Sequence, residues 1–201
     1  MALIHEAKLT PTKTELLAGW LPRQPWFPAG ATPGEPERVA AFRFDDPEGE
    51  VGVETLIVRL PGAPLLQVPL TYRGSPRADG EEWLIGTLEH SVLGTRWVYD
   101  ALGDPVYLSE LAKAALQGGH EVEQFRETPE GRVPVPSTAH VSGSGRPGTP
   151  VPDPAALDIE VVRVLDDGEG RGTDTQAGHT LTLTGAWGGR EVLLAVVRPR
   201  S

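Results

Sequence analysis

Glu89-His90-Ser91 sets a carboxylate, an imidazole and a hydroxyl in consecutive positions. An imidazole beside a carboxylate can move protons near neutral pH. Adjacent residues of a strand point to opposite faces, so Ser91 and His90 cannot share a proton as a nucleophile and base would. The same tripeptide also reads as a polar strand end ahead of a turn at Gly94. The other histidines, His5, His120, His140 and His179, show no H-x-x-x-H or H-E-x-x-H spacing, and Cys is absent. No metal site and no Cys nucleophile are expected. Asp166-Asp167-Gly168-Glu169-Gly170 opens an acidic loop. Its order does not fit the ligand ladder of a calcium loop, and a solvated hairpin loop is the plainer reading.

Gly143-Ser144-Gly145-Arg146-Pro147-Gly148 matches G-x-G-x-x-G. A dinucleotide fingerprint needs a strand before it and a helix after it. Pro147, Pro150, Pro152 and Pro154 forbid that helix, so the pattern reads as a linker coincidence. No Gly-Lys pair offers a phosphate loop either. No cofactor is expected. The tryptophans offer another chemistry. Trp20 and Trp26 bracket a short Pro-containing segment, and Trp97 lies two residues from Tyr99 on one strand face. Such rings stack on sugar faces or on a partner protein, and they also anchor ordinary cores.

The elements that must position these residues are legible in outline. Thr12 and Glu15 have capping-box spacing, which predicts a helix over 13–20 stopped by Pro22. A short strand is expected within 3–9, and others over 38–44, 51–60, 65–72, 83–88 and 95–100. Pro61-Gly62-Ala63-Pro64 joins two of them as an antiparallel pair. Asp104-Pro105 supplies an N-cap and a first helical residue. Leu108, Leu111, Ala112, Ala115 and Leu116 then share one helical face until Gly118-Gly119.

Composition divides the 201 residues. Gly and Pro number 24 and 20, well above the usual share. Many fall in 128–156, which reads as an extended linker too polar to bury its own surface. Residues 1–127 are expected to fold as one α+β domain. Residues 157–201 are expected to form a small β element with strands near 157–161, 179–187 and 192–197, packed on the first domain as an extension of its sheet. Eighteen Lys and Arg face 28 Asp and Glu, a net charge of −10. A phosphate backbone or an anionic membrane surface would be repelled, so neither nucleic acid nor membrane is an expected partner. Met1 to Glu6 has no basic or apolar leader character, and a cytoplasmic protein is expected.

Two segments carry a family resemblance. Trp20-Leu21-Pro22-Arg23-Gln24-Pro25-Trp26-Phe27 resembles the opening of bacterial maltokinases. Val68 to Gly74, then Leu84 to Gly94, then Arg96-Trp97-Val98-Tyr99-Asp100 through Gly103-Asp104-Pro105, is similar to the N-terminal cap domain of the same enzymes. More closely, the chain resembles short stand-alone proteins with a maltokinase N-terminal cap-like domain, over about residues 1–118. Pro25 and the stretch from Pro28 to Pro36 depart from the enzymes, which carry a basic residue at the first place and continue directly at the second. The resemblance implies a cystatin-like, curved antiparallel sheet with two helices. In the enzymes this cap precedes a body that transfers phosphate from ATP to maltose.

That chemistry needs a catalytic Asp, a Mg²⁺ carboxylate and a clamping Lys on a strand. No His-x-Asp occurs here, and Lys8, Lys13 and Lys113 lie outside any glycine-loop context. The expectation is a non-catalytic accessory or interaction protein of maltose, trehalose, glycogen or α-glucan metabolism. It would lack the kinase lobes and contact a maltokinase, a trehalose synthase, another α-glucan enzyme, or a second copy of itself. The alternative is a carbohydrate-binding module for maltosaccharides. Candidate ligand- or partner-binding residues are Trp20, Trp26, Glu89, His90, Arg96 and Trp97; no catalytic residue is expected, although an enzyme using Glu89, His90 and Asp100 stays open.

Overall fold

A computed structural model describes residues 2–4, 7–128, 131–165 and 180–200. In chain order it contains β1 (Ala2–Ile4), β2 (Leu9–Thr10), α1 (Lys13–Trp20), β3 (Glu37–Phe44), β4 (Gly52–Arg59), β5 (Leu65–Arg73), β6 (Leu84–His90) and β7 (Gly94–Asp100). Then come α2 (Pro105–Gln117), β8 (Gln124–Thr128), β9 (Gly131–Val135), β10 (His140–Gly143), β11 (Leu157–Val161), β12 (Val164–Leu165), β13 (Leu181–Trp187) and β14 (Arg190–Pro199).

The principal sheet is antiparallel, in the order β2-β6-β7-β5-β4-β3. It curls into a half-barrel with α1 on one face and α2 on the other. This is the cap-like α+β fold that the resemblance implies. Period-2 alternation sorts its side chains. Leu56, Val58, Leu66, Val68 and Leu70 meet Leu17, Trp20 and Leu21 on the α1 face. Phe42, Val53, Ile57 and Leu65 meet Tyr107, Leu111 and Ala115 on the α2 face. β4 is central and covered on both sides, so six consecutive residues, 53–58, are buried.

The helices begin where the caps put them. Glu15 N donates to Thr12 Oγ1 at 3.1 Å, and Thr12 N donates to Glu15 Oε2 at 2.7 Å. The Asp104 carboxylate accepts from Val106 N at 3.1 Å, and Gly118 closes α2 at φ 66°. The expected strand at 3–9 divides instead. β1 pairs parallel with β8 in a three-stranded sheet, β2 pairs with β6, and Lys8 lies between them.

Residues 131–135 and 140–143 are strands, not the unpaired tether that their proline and glycine content predicts. The glycines have specific roles there. Gly145 N and Arg146 N donate to the carbonyls of Ala115 and Leu116 at 2.9 and 3.0 Å. These are last-turn carbonyls that the helix itself cannot satisfy. A Cβ on Gly143 would lie 1.9 Å from Ala114 O, and one on Gly145 1.9 Å from Leu116 O. The G-x-G-x-x-G pattern is thus explained by close backbone approach to α2, and only a short 3-10 turn at Pro154–Ala156, not an α-helix, follows it before β11.

β10, β13, β14 and β11 form a separate four-stranded antiparallel sheet, with Gly188 and Gly189 both at positive φ in the β13–β14 turn. Leu183, Trp187, Leu194 and Val197 share one apolar cluster with Phe42 and Leu111. The C-terminal strands therefore do not extend the first sheet as a block. Among the described C-terminal strands, β12 alone pairs with it, at Leu65 and Leu66 of β5. His5, His179 and the acidic loop at 166–174 lie outside the described residues.

Gly143→Ala and Gly145→Ala are expected to lower unfolding free energy by about 2 kcal/mol or more, the cost of forcing a methyl into a filled space. Gly34→Ala, with nothing within 4 Å, should be neutral. Urea denaturation of the three variants checks this.

Candidate functional site

A cleft of about 460 Å³ opens on the α1 side of the sheet, between the β3–β4 turn and the β6–β7 hairpin. Its floor is built by alternation. Arg43 and Glu54 sit directly opposite one another in the β3–β4 register, and Tyr72 lies opposite Gly52, two residues along. All three side chains lie on the α1 face, where Lys13 of the first helical turn meets them. Gly52 leaves room for the ring: a Cβ there would lie 3.3 Å from Tyr72 Cδ2, a tight contact.

Glu54 is 5% exposed and holds the group together. Its Oε2 accepts from Tyr72 OH at 2.8 Å and from Lys13 Nζ, and its Oε1 faces Arg43 Nη2 at 3.3 Å. Lys13 Nζ also lies 5.0 Å from the centre of the Tyr72 ring. Burial alone would raise the pKa of Glu54. Arg43 and Lys13 outweigh it and hold the carboxyl far below the usual carboxylate range. Burial holds the Lys13 ammonium below its ordinary value, with Glu54 opposing the shift. Four side chains from four elements are thereby fixed in one arrangement.

Around this floor the cleft wall carries Asp45, Asp46 and Glu50 from the turn, and His90, Leu93 and Arg96 from the hairpin. Asp46 is committed to the turn, accepting from the amides of Glu48, Glu50 and Val51 at 2.8–3.1 Å. His90 Nδ1 accepts from Val92 N and Leu93 N at 3.3 and 3.1 Å, so its ring shapes the hairpin tip.

Of the six residues singled out in the sequence, His90 and Arg96 line this cleft. Glu89 is exposed and accepts from Thr95 Oγ1 at 2.7 Å. Trp97 is half-buried on β7. Trp20 is 7% exposed, within the α1-face core, and leaves no ring face for a ligand. Trp26 meets it edge-on at 5.8 Å, and the Arg163 guanidinium covers Trp26 at 5.0 Å. Asp100, a conceivable acid in the sequence, is likewise engaged: Arg163 Nη2 donates to both its oxygens at 2.6 and 2.5 Å. Nothing in the sequence joins Lys13, Arg43, Glu54 and Tyr72 into one group. Three of them alternate into one face of neighbouring strands, and a pairing register would have been needed to bring them together.

A second ionic link lies on the opposite face. Asp104 is fully buried and takes Arg73 Nε and Nη2 at 2.8 Å each and Thr71 Oγ1 at 2.9 Å. Burial pushes its pKa up, but these bonds carry it below the ordinary value. Gln67 Nε2 donates to the carbonyls of Val162 and Leu194 at 2.9 Å each. Together with Arg163, it ties the C-terminal segment to the sheet. Among the described residues, no group of three His, Asp or Glu side chains is placed to hold a metal ion. No helix among them is long and apolar enough to cross a membrane.

Residues 20–104 match the family described as the maltokinase N-terminal cap domain. The match runs from Trp20 at the end of α1 to Asp104 at the cap of α2, and covers less than half of the chain. A comparison with curated proteins finds no match.

Glu54→Gln should cost about 2 kcal/mol, because it leaves two half-buried cations, Lys13 and Arg43, facing each other without a counter-charge. The sign of the pH dependence is set by a depressed folded pKa. The stabilisation is complete above the unfolded value of about 4.3 and is lost as pH falls below it. Acid titration of thermal stability should therefore be flatter in Glu54→Gln than in the parent below that pH. Arg163→Ala should cost about 3–5 kcal/mol by stranding the buried Asp100 carboxylate. It should also shift Trp emission to longer wavelength as the Trp26 face meets water, and a thermal melt with a fluorescence spectrum reads both effects.

Proposed function

We propose that this chain, carrying a maltokinase N-terminal cap domain over residues 20–104, is a non-catalytic accessory protein that acts by contact with an enzyme of maltose, trehalose or α-glucan metabolism. The observation that supports this reading most is the course of the chain beyond Asp104. It folds back on the cap: β12 adds to β5, Arg163 spans Asp100 and Trp26, and the four-stranded sheet packs on α2. The described residues of this segment complete the cap's own core and build no second lobe. The absence of any His-x-Asp sequence is in keeping with this. A cytoplasmic location is part of the same proposal.

The partner of first choice is a maltokinase, the enzyme to whose N-terminal cap domain residues 20–104 are similar. A trehalose synthase, another α-glucan enzyme and a second copy of this chain are the further partners of the proposal. The exposed apolar pair at the β6–β7 tip, Val92 and Leu93, 57% and 43% accessible, suits a contact of this kind.

Size-exclusion chromatography of the purified chain mixed with a maltokinase, with a trehalose synthase, and alone across a concentration series tests the reading. Co-elution with an enzyme or a concentration-dependent dimer is expected, and Val92→Asp with Leu93→Asp should weaken it roughly tenfold, about 1.4 kcal/mol. Elution as a monomer in every mixture at about 50 µM overturns it. Phosphorylation of maltose from ATP by the chain alone would remove the non-catalytic assignment.

A further inference from the structure

We infer that the 460 Å³ cleft is a binding site for a small neutral polyhydroxylated molecule, of the size of one or two sugar rings. The inference rests on the lining of the cleft and not on the partner proposed above.

Charge decides against the other ligand classes first. The wall and floor present Lys13, Arg43 and Arg96 against Asp45, Asp46 and Glu50, and Glu54 lies beneath as a further carboxylate. An anion entering would meet the carboxylates of the β3–β4 turn, and a cation would meet Arg96 and Lys13. Cations and carboxylates interleaved over so short a span favour a ligand whose every polar group both donates and accepts. A hydroxyl does so, and a vicinal pair of hydroxyls spans a neighbouring cation and carboxylate at once.

The remaining surface fits the other half of such a molecule. Tyr72 and Leu93 give the cleft an apolar component against which C–H faces can pack. Its volume lies within the range of small-molecule sites.

The site is also pre-organised. Glu54 fixes Lys13, Arg43 and Tyr72 before any ligand arrives, which spares the rotamer entropy that ordering them would cost on binding. Affinity should be modest, because each hydroxyl exchanges bonds with water for bonds with protein.

Amide NMR of the full chain, titrated with maltose and with cellobiose, tests the site. Glucose 6-phosphate and spermidine serve as anionic and cationic comparisons. A neutral disaccharide is expected to shift the resonances of Glu50, Leu93 and Arg96 with a millimolar midpoint. The exposed Glu50→Gln and the half-buried Arg96→Ala should each weaken that binding roughly fivefold without lowering the melting temperature. No shift with either disaccharide at about 50 mM overturns the inference. So do stronger responses of the same amides to the phosphate or the polyamine, or shifts confined to residues outside the cleft.

Discussion

Helix α2 has to be covered twice, and the rest of the architecture is organised around that requirement. Tyr107, Leu111, Ala112, Ala114 and Ala115 are all buried, on a stripe too broad for one sheet to hide. The curled sheet takes one side through Phe42 and Ile57, and the β10–β14 sheet takes the other through Leu183 and Leu194. Alanines in the second half of the helix let backbone approach closely. There the Gly143–Arg146 chain supplies the donors that the last carbonyls lack. A side chain larger than hydrogen at either glycine would separate the layers, so composition, capping and packing act at one place.

Local features carried the sequence reading well. The Thr12–Glu15 capping box, the Asp104-Pro105 start and the Gly118 stop each fix an element boundary within one turn, because their physics involves neighbouring residues. Strands β3 to β7 were legible from apolar runs and turn residues. The long-range features escaped. Proline and glycine between 128 and 156 suggest a chain with nothing to bury, yet Val141 is 2% exposed because it pairs with Gly185 of β13, more than forty residues on. The separate C-terminal sheet escaped for the same reason: alternation shows that a strand has a buried face but not which surface buries it.

The candidate site shows the same division. His90 and Arg96 were visible as polar residues near a hairpin. The cluster beneath them was not, since Lys13, Arg43, Glu54 and Tyr72 are far apart in the chain. Glu54 looks ordinary on β4, but the register sets it opposite Arg43 and places both under α1. Tryptophan drew attention for its chemistry, while the structure uses Trp20 and Trp26 to seat the exit of α1. Arg163, more than 130 residues downstream, closes over the second ring. The two faces of one sheet thus have different roles. The α1 face carries a fixed ionic floor open to water, and the α2 face carries apolar surface and the Asp104–Arg73 link.

Asp104 stands where the recognised cap segment ends and where α2 begins. Cutting the chain there would leave Phe42, Val53 and Ile57 facing solvent across a whole sheet, with the layer that shields them gone. The segment that matches the family and the set of residues that closes this core are therefore different lengths of polypeptide.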